Sequence, residues 1–110
     1  MKRVLLDHCV PRPFGNSLID CIVSTAAEMD WVELKNGEML DAAQAAGFDV
    51  LITADQNLRY QQNLSARQIA IIELPTNRLR LVVHYAQQVN ALLATISPGA
   101  YGVIALRADA

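Results

Sequence analysis

A chain of 110 residues with 53% hydrophobic content and a net charge of −2 reads as one domain over 1–110, long enough to bury roughly two-thirds of its unfolded surface. A disordered chain is excluded, because it needs few apolar residues and a high net charge. The longest apolar runs are four residues, as in Ile69–Ile72, far short of the ~20 that a membrane-spanning helix requires.

The start of the chain, Met1-Lys2-Arg3-Val4-Leu5-Leu6-Asp7, meets an acid after three apolar positions, which breaks a signal-peptide core. Cys9 and Cys21 form no Cys-x-x-Cys pair and are too few for a disulfide scaffold. A reduced, cytoplasmic protein is therefore expected. Nine basic residues against eleven acidic ones lack the excess of a general nucleic-acid binder. With 5% aromatics, no base-stacking platform stands out. A nucleic acid stays feasible as a substrate where bound metal supplies positive charge locally.

In chain order, Arg3–Leu6 is a short buried strand. Pro11-Arg12-Pro13 opens a helix expected to run to Asp20, since proline suits a first turn. Cys21–Thr25 is the second strand, and Ala26–Leu34 is ambiguous. Asn36-Gly37-Glu38 opens an alanine-rich helix through Ala46, ended by Gly47. Phe48–Thr53 is the third strand, and Asn57–Arg67 reads as a polar helix. Gln68–Leu74 is the fourth strand, stopped by Pro75. Arg78–Ile96 is the longest predicted helix, and Tyr101–Leu106 the fifth strand. Five strands alternating with helices imply an α/β fold with a mostly parallel sheet. In the last helix Val82, Tyr85, Val89, Leu92 and Ile96 form a core stripe. Leu79, Leu81, Val83 and Leu93 widen its apolar surface. Packing on two sides within the monomer explains this width, and an interface with a second copy is the alternative.

Ligands of open α/β sheets bind outside the carboxyl ends of the strands. Asp7 follows the first strand, and Asp55 follows the third. Glu38 lies in the first turn of the helix after the second strand, with Asp41 one turn further along the same face. Each acid alone has a structural explanation, as a turn residue, a cap or a partner of the helix dipole. Gathered together they repel one another, and a site that gathers carboxylates usually holds a cation. Oxygen ligands suit Mg²⁺ or Mn²⁺, ions that activate water against a phosphodiester. Arg12, Lys35 and Arg59 flank the rim as candidate phosphate contacts. Asn57 is placed to reach a metal or its water, and Thr53 to orient Asp55.

Related chemistries lack their residues. A phosphoacceptor receiver domain needs a lysine after the fifth strand, and the only lysines are Lys2 and Lys35. A haloacid-dehalogenase-type phosphatase needs a second acid where Cys9 stands, and no glycine-rich loop follows the first strand. His8 and Cys9 are not expected to form a dyad, because neighbours in an extended segment point apart. His84 reads as a surface or boundary residue, and Cys21 as a small buried hydrophobe.

The segments Leu5-Leu6-Asp7-His8-Cys9-Val10-Pro11, Leu34-Lys35-Asn36-Gly37-Glu38-Met39-Leu40 and Leu51-Ile52-Thr53-Ala54-Asp55-Gln56-Asn57-Leu58 together resemble the PIN-like family of small bacterial proteins. That family is related to PIN-domain ribonucleases, including VapC-type toxins. The resemblance covers nearly the whole chain. It implies a three-layer α/β/α sandwich and a Mg²⁺ or Mn²⁺ site on Asp7, Glu38 and Asp55, with Asp41 or Asn57 assisting. It further implies a metal-dependent endoribonuclease, the toxin of a toxin–antitoxin pair. RNA would be its substrate, and an antitoxin or a second copy its protein partner. The family's fourth acid, shortly after the Thr-x-Asp acid, is replaced here by Gln56 and Asn57. A catalytically weak or inactive interaction module is the alternative that this departure implies.

Overall fold

The computed structural model describes residues 1–58 and 67–105, the side chain of Asn36 aside. Five strands form one all-parallel sheet: β1 (Lys2–Leu6), β2 (Cys21–Thr25), β3 (Val50–Thr53), β4 (Ala70–Glu73) and β5 (Tyr101–Val103). Their order is β2-β1-β3-β4-β5. The fold is thus α/β, as the alternation of apolar runs and helical segments implies. The chain moves outward from β1 to β2, then returns to add β3 on the other side of β1. Folds with such a reversal bind ligands at the carboxyl ends of the strands on either side of it, here β1 and β3.

Alternate residues of β1, β3 and β4 feed two cores, one on each face. Leu5, Leu51 and Ile71 pack with Met39, Leu40 and Ala43 of helix α1 (Asn36–Ala45). Val4, Leu6, Val50, Ile52 and Ile72 pack with Phe14, Val82, Tyr85, Val89 and Leu93 on the opposite face. All four residues of β3 and of β4 are buried, as expected for parallel strands covered on both faces.

Helix α1 ends as its sequence predicts. Gly47 adopts φ 87°, a conformation that suits glycine. Its N–H donates to Gln44 O at 3.1 Å, and Phe48 N–H donates to Ala43 O at 3.0 Å. This pair of bonds is a Schellman motif.

Two helices differ from expectation. Residues 11–20 hold only a 3₁₀ turn, Arg12–Ser17, because Gly15-Asn16-Ser17 is a weak helix former. Asn90 fixes its exit, accepting from Ile19 N at 3.0 Å and donating to Ser17 O at 2.9 Å. The expected helix over 78–96 is divided into α2 (Leu79–Val82), a 3₁₀ turn (Val83–Tyr85) and α3 (Ala86–Thr95). The break falls at Val82-Val83-His84-Tyr85, four residues of low helix propensity. Leu93 replaces Leu92 in the buried stripe, while Leu79 and Val83 stay exposed. The two-sided packing expected within the monomer therefore does not extend to them. The proposed helix over 57–67 lies almost wholly outside the described residues. No described helix is long and apolar enough to cross a membrane.

Candidate active site

Three strands end in polar residues on one face of the sheet. Leu6 pairs with Ile52, and Thr53 with Glu73. Asp7 N–H continues the ladder by donating to Ile52 O at 2.9 Å. Asp7, Thr53 and Glu73 therefore form a row across β1, β3 and β4. Each stands two positions after an aliphatic residue of the α1-side core (Leu5, Leu51, Ile71), so all three share that face. They are nearly inaccessible, with Asp7 2%, Thr53 0% and Glu73 3% exposed.

Thr53 is the link. Its hydroxyl donates to Asp7 Oδ2 at 2.8 Å and accepts from Asp55 N–H at 3.0 Å. Asp55 in turn accepts from Asn57 N–H through Oδ1 at 2.9 Å, an Asx turn that shapes the loop. Asp55 is half-buried, so it opens this pair of acids toward solvent.

His8 and Cys9 both converge on Asp7, because residues 8–10 turn rather than extend. His8 N–H and His8 Nδ1 lie 2.8 and 2.9 Å from Asp7 Oδ1. Cys9 S–H approaches Asp7 Oδ2 at 3.7 Å, and Ala54 N–H donates to Cys9 Sγ at 3.4 Å. Burial, reinforced by the charge of Asp7, pushes the Cys9 thiol pKa up. The sulfur therefore stays protonated at neutral pH, which opposes a nucleophilic role.

The other expected ligands have separate tasks. Glu38 Oε1 accepts from Lys35 N–H at 3.2 Å, half of a capping box at the start of α1. Asp41 pairs with Arg67 Nη1. Lys35 is exposed. Arg12, with a side chain 78% exposed, lies 3.9 Å from Glu28 Oε1. Together with Val23 and Thr25 they line a groove of about 440 Å³ beside β2. Asn57 is exposed beside Asp55, and Arg59 lies outside the described residues.

No family model matches the chain, and neither a curated protein nor a solved structure does.

A divalent cation tests the donor set directly. Among the described residues, no group of three or more His, Cys, Asp or Glu side chains could hold a metal ion. A closed cage on Asp7, Glu38, Asp55 and Asp41 is therefore not assembled. A hard ion such as Mg²⁺ uses one or two carboxylates and completes its shell with water and substrate phosphate. Asp7 and Asp55, joined through the Thr53 hydroxyl, are the two acids at this edge that such a requirement would call on.

Glu73 and Tyr101 escape the sequence reading. Tyr101 O–H donates to Glu73 Oε1 at 2.8 Å. The signal was present: Ile71-Ile72-Glu73 repeats the apolar-apolar-polar ending of Leu5-Leu6-Asp7 and Leu51-Ile52-Thr53.

Proposed function

We propose that this protein is a metal-dependent ribonuclease of the PIN-like kind, hydrolysing RNA phosphodiesters at the carboxyl ends of β1 and β3. The single observation that carries this reading is the Thr53 hydroxyl. It ties the buried Asp7 carboxylate to the Asp55 backbone at the point where strand order reverses. A buried carboxylate without a cationic partner is costly. Asp7 has only His8 as an ion-pair partner among the described residues, and a divalent cation would offset that cost.

Asp7 and Asp55 would hold the ion, Mg²⁺ or Mn²⁺. The bound ion lowers the pKa of water and stabilises charge on phosphorus. Thr53 keeps Oδ2 of Asp7 oriented and fixes the loop that carries Asp55. His8 orients the other carboxylate oxygen from the solvent side, its side chain 51% exposed. Asn57 stands beside Asp55, placed to meet an RNA phosphate or its water. The two free cysteines suit a reducing, cytoplasmic setting. As the toxin of a pair, the protein would be restrained by an antitoxin. The exposed Leu79 and Val83 offer apolar surface to an antitoxin or to a second copy.

The test is Mn²⁺ titration by calorimetry, combined with cleavage of single-stranded RNA. Wild type is expected to bind and cleave. Asp7→Asn and Asp55→Asn each lose at least about a hundredfold in activity, the scale of removing a key transition-state stabiliser. Cleavage that persists in excess chelator would overturn the reading. Absence of Mn²⁺ binding alongside a stable protein complex would favour the interaction module, which the lack of a three-ligand group among the described residues supports.

A further inference from the structure

We propose that β2 is an interface strand, pairing antiparallel with β2 of a second copy so that two five-stranded sheets join into one.

The strand order leaves one flank of β2 without a neighbouring strand. Ala26 N–H donates to Leu6 O at 2.9 Å, and Leu6 is in register with Thr25. In a parallel pair this fixes the phase. Ile22, Ser24 and Ala26 turn their N–H and C=O groups to β1, whereas Cys21, Val23 and Thr25 turn theirs outward. Thr25 O already accepts from Met29 N–H at 3.2 Å. Among the described residues, no hydrogen bond outside the ladder engages Val23 N–H or C=O. Edge strands are ordinarily protected from pairing by charge, proline, a bulge or short length. Cys21-Ile22-Val23-Ser24-Thr25 has neither charge nor proline, and its five residues pair with β1 without a bulge. At the opposite flank, β5 holds three residues centred on Gly102.

Symmetry selects the occupant. The outward residues are 21, 23 and 25, evenly placed about Val23. A twofold axis there sets Val23 N–H and C=O against the same groups of the second copy, giving two hydrogen bonds. Thr25 N–H meeting Cys21 O of the second copy adds one more on either side. Both faces of the joined sheet gain apolar pairs. Val23 faces its own equivalent beside the groove of about 440 Å³ that Pro13, Gly15 and Asn16 wall. On the other face Ile22, 52% exposed, stands across from Ser24 of the second copy and diagonal to its Ile22.

Charge fits the same arrangement. Lys2, in register with Cys21, and Asp20 mark the amino end of β2. Arg12 and Glu28 mark the carboxyl end, where Glu28 N–H donates to Thr25 Oγ1 at 3.0 Å. Arg12 and Glu28 form only a loose, exposed pair at 3.9 Å. Antiparallel pairing sets each end against the other. Arg12 then meets Asp20 of the second copy, and Glu28 meets its Lys2.

The experiment is sedimentation of the full chain over a range of concentrations, with disulfide cross-linking at position 23. Wild type is expected to sediment as a concentration-dependent dimer. Ile22→Lys changes an exposed side chain and brings like charges together across the axis. It is expected to weaken the dimer about tenfold while leaving the circular dichroism unchanged. Asp20→Asn tolerates the φ of 55° and removes the charge that Arg12 meets, so the dimer weakens about threefold. Val23→Cys places two thiols on a hydrogen-bonded antiparallel pair, with Cα atoms about 5.5 Å apart and within disulfide reach. Mild oxidation is expected to link the copies there. The native Cys21 is the internal control, about 14 Å from Cys21 of the second copy, and stays unlinked. A wild-type chain that remains monomeric up to about 1 mM leaves β2 to some other partner and overturns the proposal. A dimer that survives Ile22→Lys and is not linked through Val23→Cys also overturns it, moving the contact to another surface such as Leu79 and Val83.

Discussion

The two edges of the sheet use polar residues in opposite ways. The amino edge holds the larger cavity, a cleft of about 850 Å³ bordered by residues such as Gln44, Asp49 and Asn90. There the side chains serve the backbone. Asp49 Oδ2 accepts from Arg3 N–H at 2.8 Å, and Gln44 Oε1 accepts from Gln68 N–H at 2.8 Å. Asn90 bridges Ile19 and Ser17. At the carboxyl edge the bonds that matter run between side chains: Thr53 to Asp7, His8 to Asp7 and Tyr101 to Glu73. Cavity size therefore separates the edges less well than the partners of their polar atoms. Side chains committed to the backbone close a fold, whereas buried acids held by other side chains are positioned for something else.

The sharpest way to break this contrast is Thr53→Val. It keeps the shape but strips the donor from Asp7 and the acceptor from Asp55 N–H. The expected cost is about 1–3 kcal/mol of stability in urea denaturation, with loss of Mn²⁺ binding in the same protein. Asn90→Ala comes next, at the opposite edge. Both of its backbone bonds disappear, so stability falls by about 1–3 kcal/mol, while Mn²⁺ affinity and RNA cleavage stay at wild-type levels. A cation effect in that variant would erase the distinction between the edges.

Smaller effects sharpen it. Glu38→Gln and Asp41→Asn are expected to shift melting only slightly and to leave Mn²⁺ affinity unchanged. A large loss in either would restore it to the ion's ligands. Burial leads the rise of both thiol pKa values, aided by Asp7 at Cys9 and by Asp20 at Cys21. Alkylation at pH 7 is therefore slow at both and accelerates as pH rises toward and above the ordinary thiol value of 9.0, read by mass spectrometry. Fast alkylation of Cys9 at neutral pH would contradict the protonated S–H placed against Asp7.

The strands were legible because their signal is local. Runs such as Val50-Leu51-Ile52 have no polar face, which only a sheet covered on both sides accommodates. Gly47 likewise announced the end of α1 through its own backbone freedom. Pro11-Arg12-Pro13 misled, because a good start does not carry a helix through Gly15 and Asn16. The 78–96 helix misled for a related reason: apolar spacing persists across Val82–Tyr85 even where propensity fails. At the site, Asp7 and Asp55 were legible from their places just after strands. The partners of Glu38 and Asp41 were not, since a cap bond to Lys35 and a pairing with Arg67 depend on side-chain directions that spacing leaves open. Glu73 was hidden for the opposite reason. Embedded in an apolar strand, it shows its relation to Thr53 only once register is known.

Thr53 and Asp7 are 46 residues apart in the chain, and this separation governs when the site can exist. During synthesis β1 emerges first, and β2 can pair with it early. The second neighbour of β1 is β3, so Asp7 must wait for nearly half the chain before its hydroxyl donor arrives. Pairings across such distances in sequence form slowly. A chain in which β3 has not yet paired with β1 thus carries Asp7 without the site. Any hydrolytic capacity is withheld until the sheet has closed, a delay written into strand order.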